Sequence, residues 1–243
     1  MRIPKALVLA AVVALLAACS PSGSASDGSG SDEGVIGADG GEQNAQTKPK
    51  SGGAKVTLKA SGFGQSGAYV QGIAIVTTQS KSSVGQFVTV SANFFDKSDA
   101  LVATEQQVES FSWVGQKLVL PIWLDLSDKG SVKIARMKPS VTISDNGGAA
   151  AAKAELPVLK STEVRKSKYE GTTASFAFKN NSDTDLENLR VGVVCYDKAG
   201  RIIGGQASYP DLAPARQTIR IDTQVVTSHK PKLCKAFPSY GDL

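Results

Sequence analysis

The chain has 243 residues, 41% hydrophobic, 6% aromatic and 20% charged, with 24 glycines, which bounds it to one or two globular domains. Its net charge of +5 is mild, and no basic run is interleaved with aromatic residues, so nucleic-acid binding is excluded. The surplus lies in residues 55–243, where it reads as solvated lysines or, alternatively, as a surface that favours anionic lipid or cell-wall polymer.

Residues 1–5 carry two cations, Arg2 and Lys5, and residues 6–18 form an unbroken apolar run. Thirteen residues are too few to span a bilayer core, which needs about 20, but suit the apolar region of a secretory signal. The run ends in Leu16-Ala17-Ala18-Cys19, which resembles the bacterial lipobox. The resemblance implies a signal peptide over 1–18, cleavage before Cys19, and acylation (a diacylglyceryl group and a palmitate-type chain) at Cys19. Two or more acyl chains anchor stably where one is marginal. No twin arginine is present, so the general secretory route is expected. Ser20 does not match the Asp-type signal that retains lipoproteins in an inner membrane, which leaves an outer-membrane address open where the organism has one.

Residues 19–54 read as the lipidated cysteine and a flexible Gly/Ser-rich tether, because only Val35 and Ile36 are strongly apolar there. Such a tether spans roughly 30–35 Å. The remainder divides at a second soft segment, 146–152, into 55–145 and 153–243. The halves look like a repeat. Residues 87–102 align with 189–203 on Phe95-Asp96-Lys97 and Tyr196-Asp197-Lys198. Strand-like stretches at 71–78, 117–124 and 134–141 find counterparts at 173–179, 217–222 and 233–240. Period-2 alternation puts Val88, Val90, Ala92 and Phe94 on one face, and Leu189, Val191, Val193 and Cys195 on the equivalent face. Short, evenly spaced strands without helical periodicity predict an all-β chain of two tandem small Ig-like β-sandwiches.

The second half is similar to the FxLYD-type domain of bacterial envelope proteins. The resemblance rests on Phe178-Lys179-Asn180-Asn181-Ser182, Tyr196-Asp197-Lys198-Ala199-Gly200, Ile203-Gly204-Gly205 and Leu212-Ala213-Pro214. It covers roughly 155–243, and 55–145 more weakly: Asp99 stands where Gly200 does, and Phe111-Ser112-Trp113-Val114-Gly115 replaces the Leu-x-Pro turn. It implies a non-catalytic extracytoplasmic module.

Chemistry-bearing residues are sparse. His229, the one histidine, lies in a polar stretch beside Lys230 and reads as a solvated residue rather than part of a triad or metal site. Asp183, Asp185 and Glu187 alternate, which offers part of a Ca²⁺ site or a polar loop; no metal or other cofactor is expected. Cys195 and Cys234 remain once Cys19 is lipidated, and an oxidising compartment allows them to bridge or to stay as buried thiols. Phe94 and Trp123 are expected in the core. Trp113, near a turn, is a binding anchor or a core cover, and Arg165, Lys166 and Lys168 form a basic cluster that protects an edge or faces an anionic surface. The expected function is a lipid-anchored interaction module with an envelope protein partner, the alternative being a binding protein for a small molecule, metal or cell-wall polymer.

Overall fold

The computed structural model describes residues 55–144, 156–167 and 171–240. The signal segment, Cys19, the tether, the 146–152 linker and Lys168 lie outside the described residues. Among those described, regular structure is strand throughout, apart from two three-residue 3₁₀ turns.

The first half contains β1 (Thr57–Ser66), β2 (Tyr69–Thr77), β3 (Phe87–Phe95), β4 (Leu101–Ser110), β5 (Lys117–Asp125) and β6 (Arg136–Ile143). The second contains β7 (Val158–Ser167), β8 (Gly171–Lys179), β9 (Leu186–Glu187), β10 (Leu189–Tyr196), β11 (Ile202–Ser208), β12 (Leu212–Ala213), β13 (Thr218–Thr227) and β14 (Leu233–Tyr240). The first half pairs β1-β2-β5 in one sheet and β4-β3-β6 in the other. The second repeats that order as β7-β8-β13 and β11-β10-β14, joined into one six-stranded sheet by a short β11–β13 pairing at Gly204 and Gly205. Every strand pair is antiparallel.

The repeat extends to irregularities. β1 carries a bulge between Leu58 and Ala60, and β7 carries one between Leu159 and Ser161. Both aromatic-Asp-Lys hairpins close in the same way. Asp96 Oδ1 accepts from the backbone N–H of Ser98 and Ala100, and Asp197 Oδ1 accepts from those of Ala199 and Arg201. The last turn residue is left-handed in both, at φ 63° for Asp99 and 76° for Gly200. A type I turn followed by a left-handed residue is a standard three-residue hairpin connection.

Alternation decides each core. β3 buries Val88, Val90, Ala92 and Phe94 and leaves the intervening residues partly exposed. These pack against Val70, Ala74, Val76, Leu118, Leu120 and Ile122 of the facing sheet. The second core gathers Phe176, Phe178, Val191, Val193, Cys195 and Cys234. Prolines sit where a missing N–H does least harm: Pro121, Pro139 and Pro238 all lie on edge strands, β5, β6 and β14. Cys195 and Cys234, directly opposed on β10 and β14, form a disulfide.

The halves are not separate beads. β2 is buried on both faces from Val70 to Thr77, as a strand covered by two layers must be. Its second face, with Ile73, Ile75 and Val119 of β5, packs on Val194, Tyr196, Ile202 and Phe237 of the second half. Close approach depends on glycine. A Cβ on Gly64 would fall 2.2 Å from the Ile203 carbonyl oxygen, and one on Gly192 would fall 2.6 Å from Val119 Cβ. A wholly buried arginine, Arg190, crosses the same seam to Glu109 and the Val119 carbonyl.

Candidate functional site

Where the two halves diverge from this seam, they leave a cleft of about 570 Å³. One wall is the β1–β2 turn and the end of β5, with Gln65, Tyr69 and Trp123. The other is built from β8, β11 and the end of β13, with Gln206, Gln224 and the residues through His229.

The aromatic floor follows from strand register. Gln71 opposes Trp123 and Tyr69 opposes Asp125, so Tyr69 and Trp123 are diagonal neighbours on one face. Their rings stack at 5.4 Å between centroids with 24° between planes. That face is the one bearing Ile73 and Val119, but these two rings lie past the overlap with the second half. Tyr69 is therefore 46% exposed and Trp123 45% exposed. The expectation of a core Trp123 is corrected: β5 turns Leu118, Leu120, Ile122 and Leu124 to the first core and Trp123 to the opposite face, where it stays half exposed. Phe94 is fully buried, as expected. Beside Trp123, Gln71 is buried and its Oε1 has no hydrogen-bond donor among the described residues.

The rim is held in place. Gln65 Nε2 donates to the carbonyls of Gly67 and Val132, its Oε1 accepts from the Ile134 N–H, and its backbone N–H donates to Ser228 Oγ across the seam. The opposite wall presents free capacity. Gln206 uses its Oε1 for the Ala207 N–H, and Gln224 makes no side-chain hydrogen bond among the described residues. One residue in five of the chain is charged, yet the described lining contains no Asp, Glu, Lys or Arg. The described lining sets an exposed aromatic face beside amide and hydroxyl groups.

Of the described residues singled out from the sequence as candidate sites, His229 borders the cleft and the others lie elsewhere. Trp113 is half-buried in the β4–β5 turn, at the end of the first half where β1 begins. Arg165 lies within ion-pair distance of Glu163 and Asp222, and Arg220 joins both acids, so this guanidinium belongs to a solvated surface network. The Ser175 hydroxyl first, and then Arg220 and Arg165, hold the Asp222 carboxyl below its usual range against some desolvation. Lys166 follows Arg165 on β7. Asp183 pairs with Arg216, and Asp185 accepts from the Ala215 N–H, so both acids brace one loop. His229 is exposed at the cleft margin. Tyr69 was visible in the sequence as an aromatic but carried no local signal of a site; only the β2–β5 register brings it to Trp123.

No family model matches the chain, and no curated protein matches it. Among solved structures, a beta-glucuronidase from glycoside hydrolase family 2 is similar over 72% of this chain and 22% of that chain, at 12% identity and a TM-score of 0.25. This chain spans about a fifth of that enzyme's length, and likeness at this level carries no argument about activity. Fold and site together define an all-β, disulfide-bonded sandwich protein with a cleft between its halves.

Proposed function

We propose that the chain is a lipid-anchored, extracytoplasmic binding module without catalytic function, held at the membrane through Cys19. The observation that carries the binding role is the cleft: a preorganised rim, two exposed stacked rings and unused amide groups on the facing wall. A buried seam between the halves supports this rigidity, since a site on packed strands is held more precisely than one on loops. The signal-like leader and the lipobox-like Leu16-Ala17-Ala18-Cys19 support the address. The Asp-Lys hairpins of both halves support the likeness to envelope FxLYD-type domains.

β1 runs about 30 Å from its start near Lys55 to Ser66 at about 3.3 Å per residue. The cleft therefore opens at the end of the first half remote from the point where the N-terminal segment joins it.

The test is fatty-acid labelling and membrane fractionation of the native chain beside Cys19→Ala, with crosslinking in cells. Native protein that is labelled, membrane-bound and crosslinked to one envelope component, with all three lost in Cys19→Ala, is the expected result. Equal membrane retention of an unlabelled Cys19→Ala chain overturns the anchor.

A further inference from the structure

Resting on the reading of the cleft as a binding site, we propose that its ligand is a neutral glycan, with a pyranose ring lying on the Tyr69–Trp123 shelf. A sugar ring presents an apolar face of C–H groups and a perimeter of hydroxyls. The shelf matches the first: two rings, offset-stacked at 5.4 Å, each nearly half exposed, and placed side by side by strand register rather than by a loop. Rings of this kind bury large apolar area at little entropic cost when covered. The facing wall matches the second. Gln206, Gln224, Ser228 and His229 offer groups that donate and accept, which is what hydroxyls need.

Charge decides between ligand classes. An anionic wall polymer or lipid headgroup calls for cations, and an acidic or basic peptide for the opposite sign. The described lining has no carboxylate, ammonium or guanidinium in a chain that is one-fifth charged. A neutral, proline-rich peptide also stacks on aromatic grooves. It offers carbonyl acceptors but few donors, which suits a wall richer in N–H groups than this mixed amide and hydroxyl surface. The size agrees too: about 570 Å³ falls in the range of small-ligand clefts.

The chain has two tryptophans, so Trp113→Phe leaves Trp123 as the sole indole reporter. The experiment titrates the full chain in this background with linear gluco-, manno- and chito-oligosaccharides, reading Trp123 emission at low and high salt. A proline-rich peptide and an anionic polymer are titrated in parallel. A saturable, salt-independent shift with an oligosaccharide, weakened on the order of tenfold by Tyr69→Ala and by Gln224→Ala with melting temperatures within a few degrees of the native chain, is the expected outcome. A shift only with the peptide, only with the anionic polymer, or with none of the probes overturns the glycan. Fatty-acid labelling and fractionation are indifferent to these results, so the failure of the ligand class is distinguishable from failure of the anchored-module reading.

Discussion

Arg190 on β10 of the second half reaches across the seam to Glu109 on β4 of the first, with Nη2 2.8 Å from Oε1 and both side chains nearly inaccessible to water. Nη1 donates to the Val119 carbonyl on β5. The Nη2 approach is a close ion pair bent away from good hydrogen-bond geometry, and Nε has no acceptor among the described residues. Gln107 Nε2 also donates to the Glu109 carboxylate. Removing one member strands a buried charge. Arg190→Ala is expected to cost about 3–5 kcal/mol, whereas Arg190→Met with Glu109→Leu costs far less, because the seam is otherwise apolar. Urea unfolding of both variants checks this. An Arg190→Ala cost below about 1 kcal/mol would mean that the seam opens to water.

The Cys195–Cys234 disulfide closes a loop with a sequence separation of 39 residues, and both cysteines lie in the second core. Chain-entropy arguments place its contribution at about 3–4 kcal/mol. The Cys195→Ala/Cys234→Ala variant should therefore unfold at clearly lower denaturant concentration, and reductant should lower the native midpoint while leaving the variant's unchanged. A native midpoint indifferent to reductant would refute the bridge as a stabilising element.

Much of this architecture was legible because a half-buried strand writes its face into every second residue. Val88 to Phe94 and Leu189 to Cys195 show this plainly, and the paired Asp-Lys turns align the halves. What the halves do to each other was not. A strand covered on both sides loses its alternation, so Ile73, Ala74, Ile75 and Val76 say that two layers exist but not which layer is the second. Gly64 and Gly192 read locally as turn or strand-weakening residues, and only the seam shows that they permit close approach. The core expectation for Trp123 rests on its place in a strand; its exposure depends on how far the second half's packing reaches along the Val119 face.

At the seam itself, Gly64→Val is expected to destabilise by about 1–3 kcal/mol or more, since its Cβ meets the Ile203 carbonyl and the Thr227 Cα, both backbone. Gly67, three residues beyond Gly64, has open space around it but a φ of 61°, so Gly67→Ala should cost only about 1 kcal/mol. Thermal melts of the two variants test the ordering, and equal losses would show that the Gly64 contact is soft.

The two hairpins predict an acid response. The Asp96 carboxyl is held below its usual range first by the Ser98 hydroxyl and then by the Ala100 N–H. Asp197 is held low first by the Arg201 N–H, with the Arg201 guanidinium adding to it against some desolvation. A folded pKa below the unfolded value of about 3.9 stabilises above that pH and is lost as pH falls through the lowered folded value. Stability should accordingly be flat near neutrality and decline below about pH 4. The Asp96→Asn/Asp197→Asn variant keeps an acceptor oxygen in each turn but loses the titration, so its melting temperature should fall less steeply with acid. Parallel slopes for native and variant would assign the acid response to other carboxylates.

The strongest separation of fold from function lies between Phe94 and Trp123, two large strand aromatics that both read as core from the sequence. Phe94 is fully enclosed by the first core, and truncation to Ala should cost about 3–5 kcal/mol through lost burial and the cavity left behind. Trp123 is nearly half exposed and stacks on Tyr69. Its truncation forgoes one exposed stacking pair, worth about 0.5–1.5 kcal/mol, and leaves no internal void. Trp123→Ala should therefore melt within a few degrees of the native chain, while Phe94→Ala loses most of its stability. Urea midpoints for the pair decide the matter. A Trp123→Ala loss as large as that of Phe94→Ala would make the shelf a structural prop rather than a surface kept open for a ligand.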